Sequence, residues 1–287
     1  MHPAHRLQQL LQTGKIVMAP GAPDAITARL VQKAGFPTVY MTGFGATASR
    51  LGTPDIGLLS QTEMTTHARD MARVVDIPII ADADTGYGGP SNIQRTVREY
   101  IQAGVAAIHL EDQVAPKRCG QMAGIRLMDA QENLLRLKCA MEARGSDPLL
   151  VIGRTDALPA MGMEEAIRRA HLYQAAGVDL VFVDGIKKIA EVESVAKAVP
   201  GPKIVSIVDG NETTALTAQD LQDMGFSVVF YAVTALFTAV KAVSDALAEL
   251  QRAGTPRGSA SNMVSYAEFS ALVDLDFHKD LDDRFGA

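Results

Sequence analysis

A closed (β/α)8 barrel is the fold this sequence predicts, and three observations predict it: eight short apolar runs, helix-length stretches between most of them, and a recurring glycine punctuation. The runs are 16–18, 38–41, 79–81, 107–110, 149–152, 180–183, 204–208 and 228–231. They are apolar on both faces rather than alternating, as parallel strands covered by helices should be. Helical stretches are expected over 62–75, 91–103, 130–143, 163–176, 186–198, 217–224 and 233–251. The punctuation is Val31-Gln-Lys-Ala-Gly35, Ile101-Gln-Ala-Gly104, Tyr173-Gln-Ala-Ala-Gly177 and Leu221-Gln-Asp-Met-Gly225, each running into an apolar strand. Glycine closes a helix in the left-handed conformation, after which a buried strand can begin. An open doubly wound sheet is disfavoured because no G-x-G-x-x-G follows an early strand.

The composition fits one large domain. A chain of 287 residues with 47% hydrophobic and 21% charged residues is that of a globular protein, not of a disordered or fibrous one. A net charge of -6 without a local basic cluster offers nothing to a phosphate backbone, so no nucleic-acid partner is expected. Two cysteines, Cys119 and Cys139, form no zinc spacing and suit a reducing cytoplasm. The N-terminus has no apolar export core, and the longest apolar stretch, 228–240, is too short and too polar for a membrane span. After residue 251 the composition shifts. Residues 253–261 read as a linker, and 266–273 and 277–285 read as short amphipathic helices. The expected division is therefore a barrel over 1–252 and an extension over 253–287, whose Phe269, Leu272, Phe277, Leu281 and Phe285 need a surface to pack on. Subunit contact is expected there.

Barrel chemistry sits at the carboxyl ends of the strands. In chain order these ends carry Thr42-Gly43-Phe44-Gly45, Asp82 and Asp84, Glu111-Asp112, Arg154-Thr-Asp156, Asp184, Asp209 and Tyr231. So many carboxylates at one mouth repel one another, and hard oxygen donors at this density fit Mg²⁺ or Mn²⁺ held partly through water. The alternative is that acids cap the helices that follow each strand, the reading preferred for Asp112 and Asp156. Pro116-Lys117-Arg118-Cys119-Gly120-Gln121 reads as an active-site loop, with neighbouring cations expected to lower the Cys119 pKa; a solvated basic turn is the alternative. Cys139, among leucines on a helix, reads as core. His109 is either a helper of Glu111 or a hydrogen-bonded barrel histidine, His67 and His171 read as surface residues, and Tyr87 is either a pocket wall or packing.

Asp82-Ala-Asp-Thr-Gly-Tyr-Gly88, His109-Leu-Glu-Asp-Gln113 with Lys117-Arg-Cys-Gly120, Arg154-Thr-Asp156, and Tyr231 through Leu236 together resemble the isocitrate lyase and phosphoenolpyruvate mutase superfamily, nearest its 2-methylisocitrate and 2,3-dimethylmalate lyases. The resemblance covers roughly residues 16–251. It implies a Mg²⁺-dependent site that handles 2-oxo acids through an enolate. Asp55, Asp82, Asp84 and Glu111 match the metal-site acids; Thr42, Gly43 and Phe44 stand where the substrate carboxylate is held; Arg154 matches the arginine on the 2-oxo acid. Cys119 matches the lyases' general acid/base, within a loop whose Lys117, Arg118 and Gly120 belong to the motif. It also implies a C-terminal helix exchanged between subunits of a homotetramer.

Several positions depart from the lyase pattern. Gln121 replaces the loop's usual His, Asp184 replaces a Glu, and Ser206 with Asp209 replaces Asn-x-x-Glu. These are the expected substrate-specificity positions. The reading that follows is a carbon–carbon lyase for a substituted malate or similar 2-hydroxy dicarboxylate. The alternatives are an oxaloacetate-type hydrolase or decarboxylase, a phosphonate-processing enzyme, and a metal-binding barrel without catalysis.

Overall fold

The computed structural model describes residues 1–286. Eight parallel strands close into a barrel in sequence order: β1 (Val17–Ala22), β2 (Val39–Met41), β3 (Ile79–Asp82), β4 (Ala107–Glu111), β5 (Leu150–Thr155), β6 (Leu180–Val183), β7 (Lys203–Ile207) and β8 (Val228–Tyr231). The last strand pairs with the first, Val17 to Val228 through Pro20 to Tyr231, so no edge is left open. The fold is the one expected, and every expected strand is found within a few residues.

The helices are α1 (Pro3–Gln12), α2 (Ala25–Lys33), α3 (Gly43–Leu51), α4 (Gln61–Ala72), α5 (Pro90–Ala103), α6 (Ala130–Arg144), α7 (Ala157–Met161), α8 (Met163–Ala175), α9 (Ile189–Ala198), α10 (Ala218–Asp223), α11 (Thr234–Ala253), α12 (Tyr266–Leu272) and α13 (Leu275–Phe285). Helices α1, α3 and α7 are not in the sequence reading, and α2 is marked there only by the glycine punctuation at its end. Helix α1 starts on a proline behind the His2 cap and contributes Ala4 and Leu7 to the barrel's inner cluster. The start of α3, Gly-Phe-Gly, has poor helix propensity; the Thr42 side chain caps it at Gly45.

Strand alternation sorts the side chains into two clusters. Inward go Val17, Ala19, Tyr40, Ile80, Ala107, Ile152, Phe182, Ile204 and Phe230. Their neighbours, such as Met41, Ala81, Ile108, Val151, Val183 and Val229, face the helices. Tyr40 stacks on Phe230 with ring centroids 4.0 Å apart, and Phe182 meets Phe230 edge-on, forming an aromatic floor for the mouth above.

The chain forms two compact units, Met1–Thr234 and the remainder from Ala235. The expected boundary at 252/253 thus differs from the observed division, which assigns α11 to the second unit. No residue of α11 is buried, and Phe237, Val240, Val243 and Leu247 along it are exposed. Within the second unit the expected linker contains a 3-10 segment, Pro256–Asn262, followed by α12 and α13 near the expected ranges.

At the β1–β8 seam, a Cβ on Gly21 would overlap the backbone carbonyl of Ala232. Backbone cannot swing aside, so Gly21→Ala is expected to destabilise the barrel by about 1–3 kcal/mol. Thermal denaturation should show a Tm lower by about 2–4 °C for each kcal/mol lost in a chain of this size.

Candidate active site

The alternation that builds the core also builds the mouth. In β4, Ala107, His109 and Glu111 share the inward face; in β5, Leu150, Ile152 and Arg154 do so, with Glu111 in register with Arg154. Arg154 is 5% exposed and is the centre of the site. Its Nε and Nη2 form a fork on Asp156, at 3.2 and 2.9 Å. Nη2 also lies 2.7 Å from Asp184 and 3.4 Å from Glu111. The guanidinium rests above the Phe182 ring, 5.4 Å from its centroid. Surrounding carboxylates offset its burial and keep it charged.

Beside it, Asp82 accepts hydrogen bonds from the backbone N–H of Asp84 at 2.8 Å and of Gly43 at 3.2 Å. A Cβ at Gly43 would collide with the Asp82 carboxylate, so α3 can begin this close only with glycine. Burial would raise the Asp82 carboxyl, yet His109, Lys117 and Arg154 hold it down at about 2. Burial raises Asp84 to about 6 against the pull of Lys117, and pushes Glu111 up despite Arg154. Asp84 holds a left-handed backbone conformation, φ 45°, and Tyr87 another, φ 60°. Neither oxygen of buried Glu111 has a hydrogen-bond partner.

These residues fit a divalent cation in a particular way. Among the described residues, no three His, Cys, Asp or Glu side chains converge as a ready-made ligand cage. Glu111, whose oxygens accept no hydrogen bond beside the ion pair to Arg154, and the crowded Asp82 and Asp84 suit a hydrated hard cation that takes few direct protein bonds. Asp55, the fourth expected acid, is buried and linked to Asp84 through Lys117, whose Nζ lies 2.6 Å from Asp55 and 2.8 Å from Asp84.

The loop after β4 is seated on the mouth. The Cys119 N–H donates to the Asp55 carbonyl at 3.0 Å. At Gly120 a Cβ would overlap the carboxylates of Asp184 and Asp156 and stand 3.0 Å from the Arg154 guanidinium. Glycine at 120 thus allows the main chain to lie directly on the arginine cluster. The expected lowering of the Cys119 pKa is reversed: burial pushes the thiol up to about 11. Lys117 is committed to Asp55 and Asp84. Arg118 turns outward, exposed, with its guanidinium on the Ala123 carbonyl at 3.3 Å, so the structure does not bring it into the site.

Thr42 is buried and caps α3, Phe44 is half-buried beside it, and Ser206 is buried on β7. Gln121 accepts from the Asn211 amide at 3.2 Å. Asp209 is exposed and accepts from Thr234 at 2.8 Å, apart from the arginine cluster.

Asp112 and Asp156, expected as caps, do other work. Asp156 makes no side-chain cap; it grips Arg154. Asp112 accepts from Thr155 (2.7 Å), Tyr173 (2.7 Å), Arg169 (3.0 Å) and the Asp156 N–H (2.9 Å), tying β5 to α8. His109 is the hydrogen-bonded barrel histidine: Tyr40 lies 3.1 Å from its Nε2, and burial lowers its pKa to about 4, leaving it neutral. His67 is buried against the Pro23 carbonyl at 3.0 Å, correcting its assignment to the surface, whereas His171 is exposed. Cys139 is half-buried against the core, and Tyr87 lines a cavity of about 430 Å³ with Asp84 and Lys117.

Sequence reasoning missed Tyr40, Arg169 and Tyr173 as site residues, and it quoted Gln113 within the His109–Gln113 motif without giving it a role.

A parallel barrel with these acids and this arginine under a seated loop defines an enzyme of the barrel class. The family model described as phosphoenolpyruvate phosphomutase matches residues 7–251, and the chain belongs to that family, within the phosphoenolpyruvate mutase/isocitrate lyase superfamily. The 2,3-dimethylmalate lyase of Eubacterium barkeri is 38% identical over 285 residues, covering 99% of each chain. An oxaloacetate acetylhydrolase solved with 3,3-difluorooxalacetate superposes with a TM-score of 0.92 at 32% identity, over 100% of this chain and 98% of that one. A phosphonopyruvate hydrolase solved with oxalate and Mg²⁺ gives 0.90 at 30% identity, over 99% of each. None of the described helices is long and apolar enough to cross a membrane.

Replacing Asp156 with alanine leaves a buried guanidinium short of its fork and Gln113 short of an acceptor. Breaking a buried pair from one side costs about 3–5 kcal/mol, so urea unfolding of Asp156→Ala should show a loss of that order with an unchanged m-value.

Proposed function

We propose that the chain is a divalent-metal-dependent carbon–carbon lyase that splits a substituted malate or related 2-hydroxy dicarboxylate into a 2-oxo acid and the enolate of a second carboxylate. The observation that carries this reading is the loop: its Gly120 lies against Arg154 in an acid-lined mouth, and the thiol of the preceding residue, Cys119, is kept protonated by burial. Loss of the hydroxyl proton to a carboxylate of the mouth, with C–C scission, releases the 2-oxo acid as the carbonyl product and leaves the bonding pair on the other fragment as the enolate of its carboxylate. That enolate needs charge stabilisation at oxygen and a proton at carbon.

Arg154 suits the first need from this chain's side, because it is fixed by Asp156 and cannot turn away. The half-buried Cys119, whose thiol stays protonated, suits the second, and the seated loop keeps water from quenching the carbanion. Thr42, Gly43 and Phe44, where α3 begins and N–H groups favour an anion, would hold the substrate carboxylate. Asp82, Asp84, Glu111 and Asp55 would hold Mg²⁺ or Mn²⁺, some through water; the ion's contribution when bound is stabilisation of the enolate oxygen. Gln121, Asp184, Ser206 and Asp209 are the positions proposed to set the substrate's substituents. The exposed apolar residues of the second unit, Phe237, Val243, Phe269 and Phe277 among them, support an exchanged C-terminal segment in a homotetramer. Cytoplasmic location belongs to the same reading.

The likeness to oxaloacetate acetylhydrolase supports a second reading, hydrolysis of an oxaloacetate-like acid. Cys119→Ser separates them. For a lyase, kcat on malate derivatives should fall about 10²–10⁴-fold with an unchanged Tm; retained turnover would sink the thiol's role.

The pH dependence has a definite sign. The acid form of Cys119 persists below about 11, so the cleavage rate should hold through neutrality and decline on the alkaline side as that value is approached. A limb that falls on the alkaline side well below pH 9 would contradict a buried thiol donor. Calorimetry with Mg²⁺ and oxalate, read alongside chelator inhibition, tests the cation: tight oxalate binding should require the metal, and Glu111→Gln should weaken metal uptake.

A further inference from the structure

Gln113 lies just beyond β4, 1% exposed, and its side-chain amide is fully used. The carbonyl oxygen accepts the Arg118 backbone N–H at 2.8 Å. The amide nitrogen donates to the Arg118 carbonyl at 2.8 Å and to the Asp156 carboxylate at 3.0 Å. One side chain therefore holds both backbone groups of the residue before Cys119. It also holds the same Asp156 oxygen that accepts from Arg154 Nε. The task needs one acceptor and two donors at this reach. Glutamine supplies them; glutamate has no donor, asparagine is a methylene shorter, and methionine has neither function.

The surroundings show what this clasp governs. The ends of the loop are pinned by backbone pairing, Gln113 bridging Leu127 and the Val114 N–H donating to the Arg126 carbonyl at 2.8 Å. Between those ends, the loop's far flank is held by Lys117 on Asp55 and Asp84, and by the Cys119 N–H on Asp55. That flank leans on acids proposed to hold the cation, so its strength varies with what occupies them. The Gln113 clasp leans instead on the Arg154–Asp156 pair, which Asp112 secures from behind through the Asp156 N–H.

We infer that Gln113 is the positioning residue that seats the Cys119 loop, making its closed position conditional on an Arg154 correctly forked to Asp156. It touches no reacting atom; it acts through Arg118's backbone on one side and Asp156 on the other. The inference rests on the lyase reading only for the consequence in turnover; seating of the loop stands apart from it.

The test uses Gln113→Glu, nearly isosteric, and Gln113→Met, which keeps the volume without polarity. Three quantities are measured on the full chain: hydrogen exchange of peptides spanning 114–122, iodoacetamide labelling of Cys119 by peptide mapping, and steady-state kinetics. Cys139 in the same digest reports global loosening. In either folded variant, exchange in 114–122 and labelling of Cys119 should accelerate about tenfold or more while Cys139 and the barrel strands keep wild-type rates. With a cleavable malate derivative, kcat should fall about 10–100-fold with KM changed less than about threefold. Wild-type loop exchange and Cys119 labelling in both variants would overturn the inference, whatever the activity. A chain that cleaves no 2-hydroxy acid, yet shows the accelerated loop in both variants, would sink the lyase reading and leave the clasp standing.

Discussion

Crowded negative charge at the barrel mouth is the constraint around which this protein is organised. Asp55, Asp82, Asp84, Glu111, Asp156 and Asp184 gather there, offset by Lys117 and Arg154, with His109 beside Asp82. Two like charges about 4 Å apart repel by several kcal/mol at the effective dielectric of such a site. The structure meets the excess in two ways. Arg154 is shared among three carboxylates, and the burial that raises Asp84, Glu111 and Asp184 favours their taking up protons. A dication would relieve what remains, so an affinity for metal would follow from the mutual repulsion of these carboxylates. The Lys117 contacts belong to the same balance: its ammonium supplies part of the positive charge and ties the loop's far flank to the acids that demand it.

The fold was largely legible because the signals that encode it are local and repeated. Glycines after helical runs, and strands apolar on both faces, recur around the whole ring, so a missing α1 or a late start to β1 does not change the architecture. The mouth was legible for a related reason: period-two alternation sends Asp82, Glu111 and Arg154 inward as surely as it sends Ile80, Ala107 and Ile152 inward below them. What stayed hidden depends on contacts between distant segments. Nothing near Arg169 says that it meets Asp112, and nothing near Tyr40 says that it meets His109.

Cys119 shows how adjacency in sequence misleads. Lys117 and Arg118 flank the thiol within two residues, which suggests an activated thiolate. In the fold Lys117 is drawn to acids and Arg118 faces water, so burial decides the outcome and the thiol keeps its proton. The reversal favours an acid over a nucleophile: a donor must carry its proton into the reaction, whereas a thiolate would first have to acquire one. The misreading of Asp112 and Asp156 as caps has a similar origin. An acid beside a helix start is usually satisfied by the helix, but a buried guanidinium is a stronger claimant.

Two layers behind the mouth explain how a loop without regular secondary structure is held in a defined position. Arg169 and Tyr173, on the helix side of the barrel, fix Asp112; Asp112 fixes Thr155 and the backbone of Asp156; Asp156 fixes Arg154 and presents one oxygen to Gln113. Each step is a buried hydrogen bond with little freedom, so positional accuracy is passed from packed helix to rigid strand to guanidinium and finally to the loop. The loop then needs few contacts of its own. That division leaves Gln121, facing Asn211 rather than this chain of bonds, free to differ from the lyases' usual residue without disturbing the seat of Cys119. On the lyase reading, substrate choice and proton delivery can therefore diverge on the same short loop, since Gln121 meets the segment after β7 whereas Gln113 clasps Arg118 to Asp156 after β5.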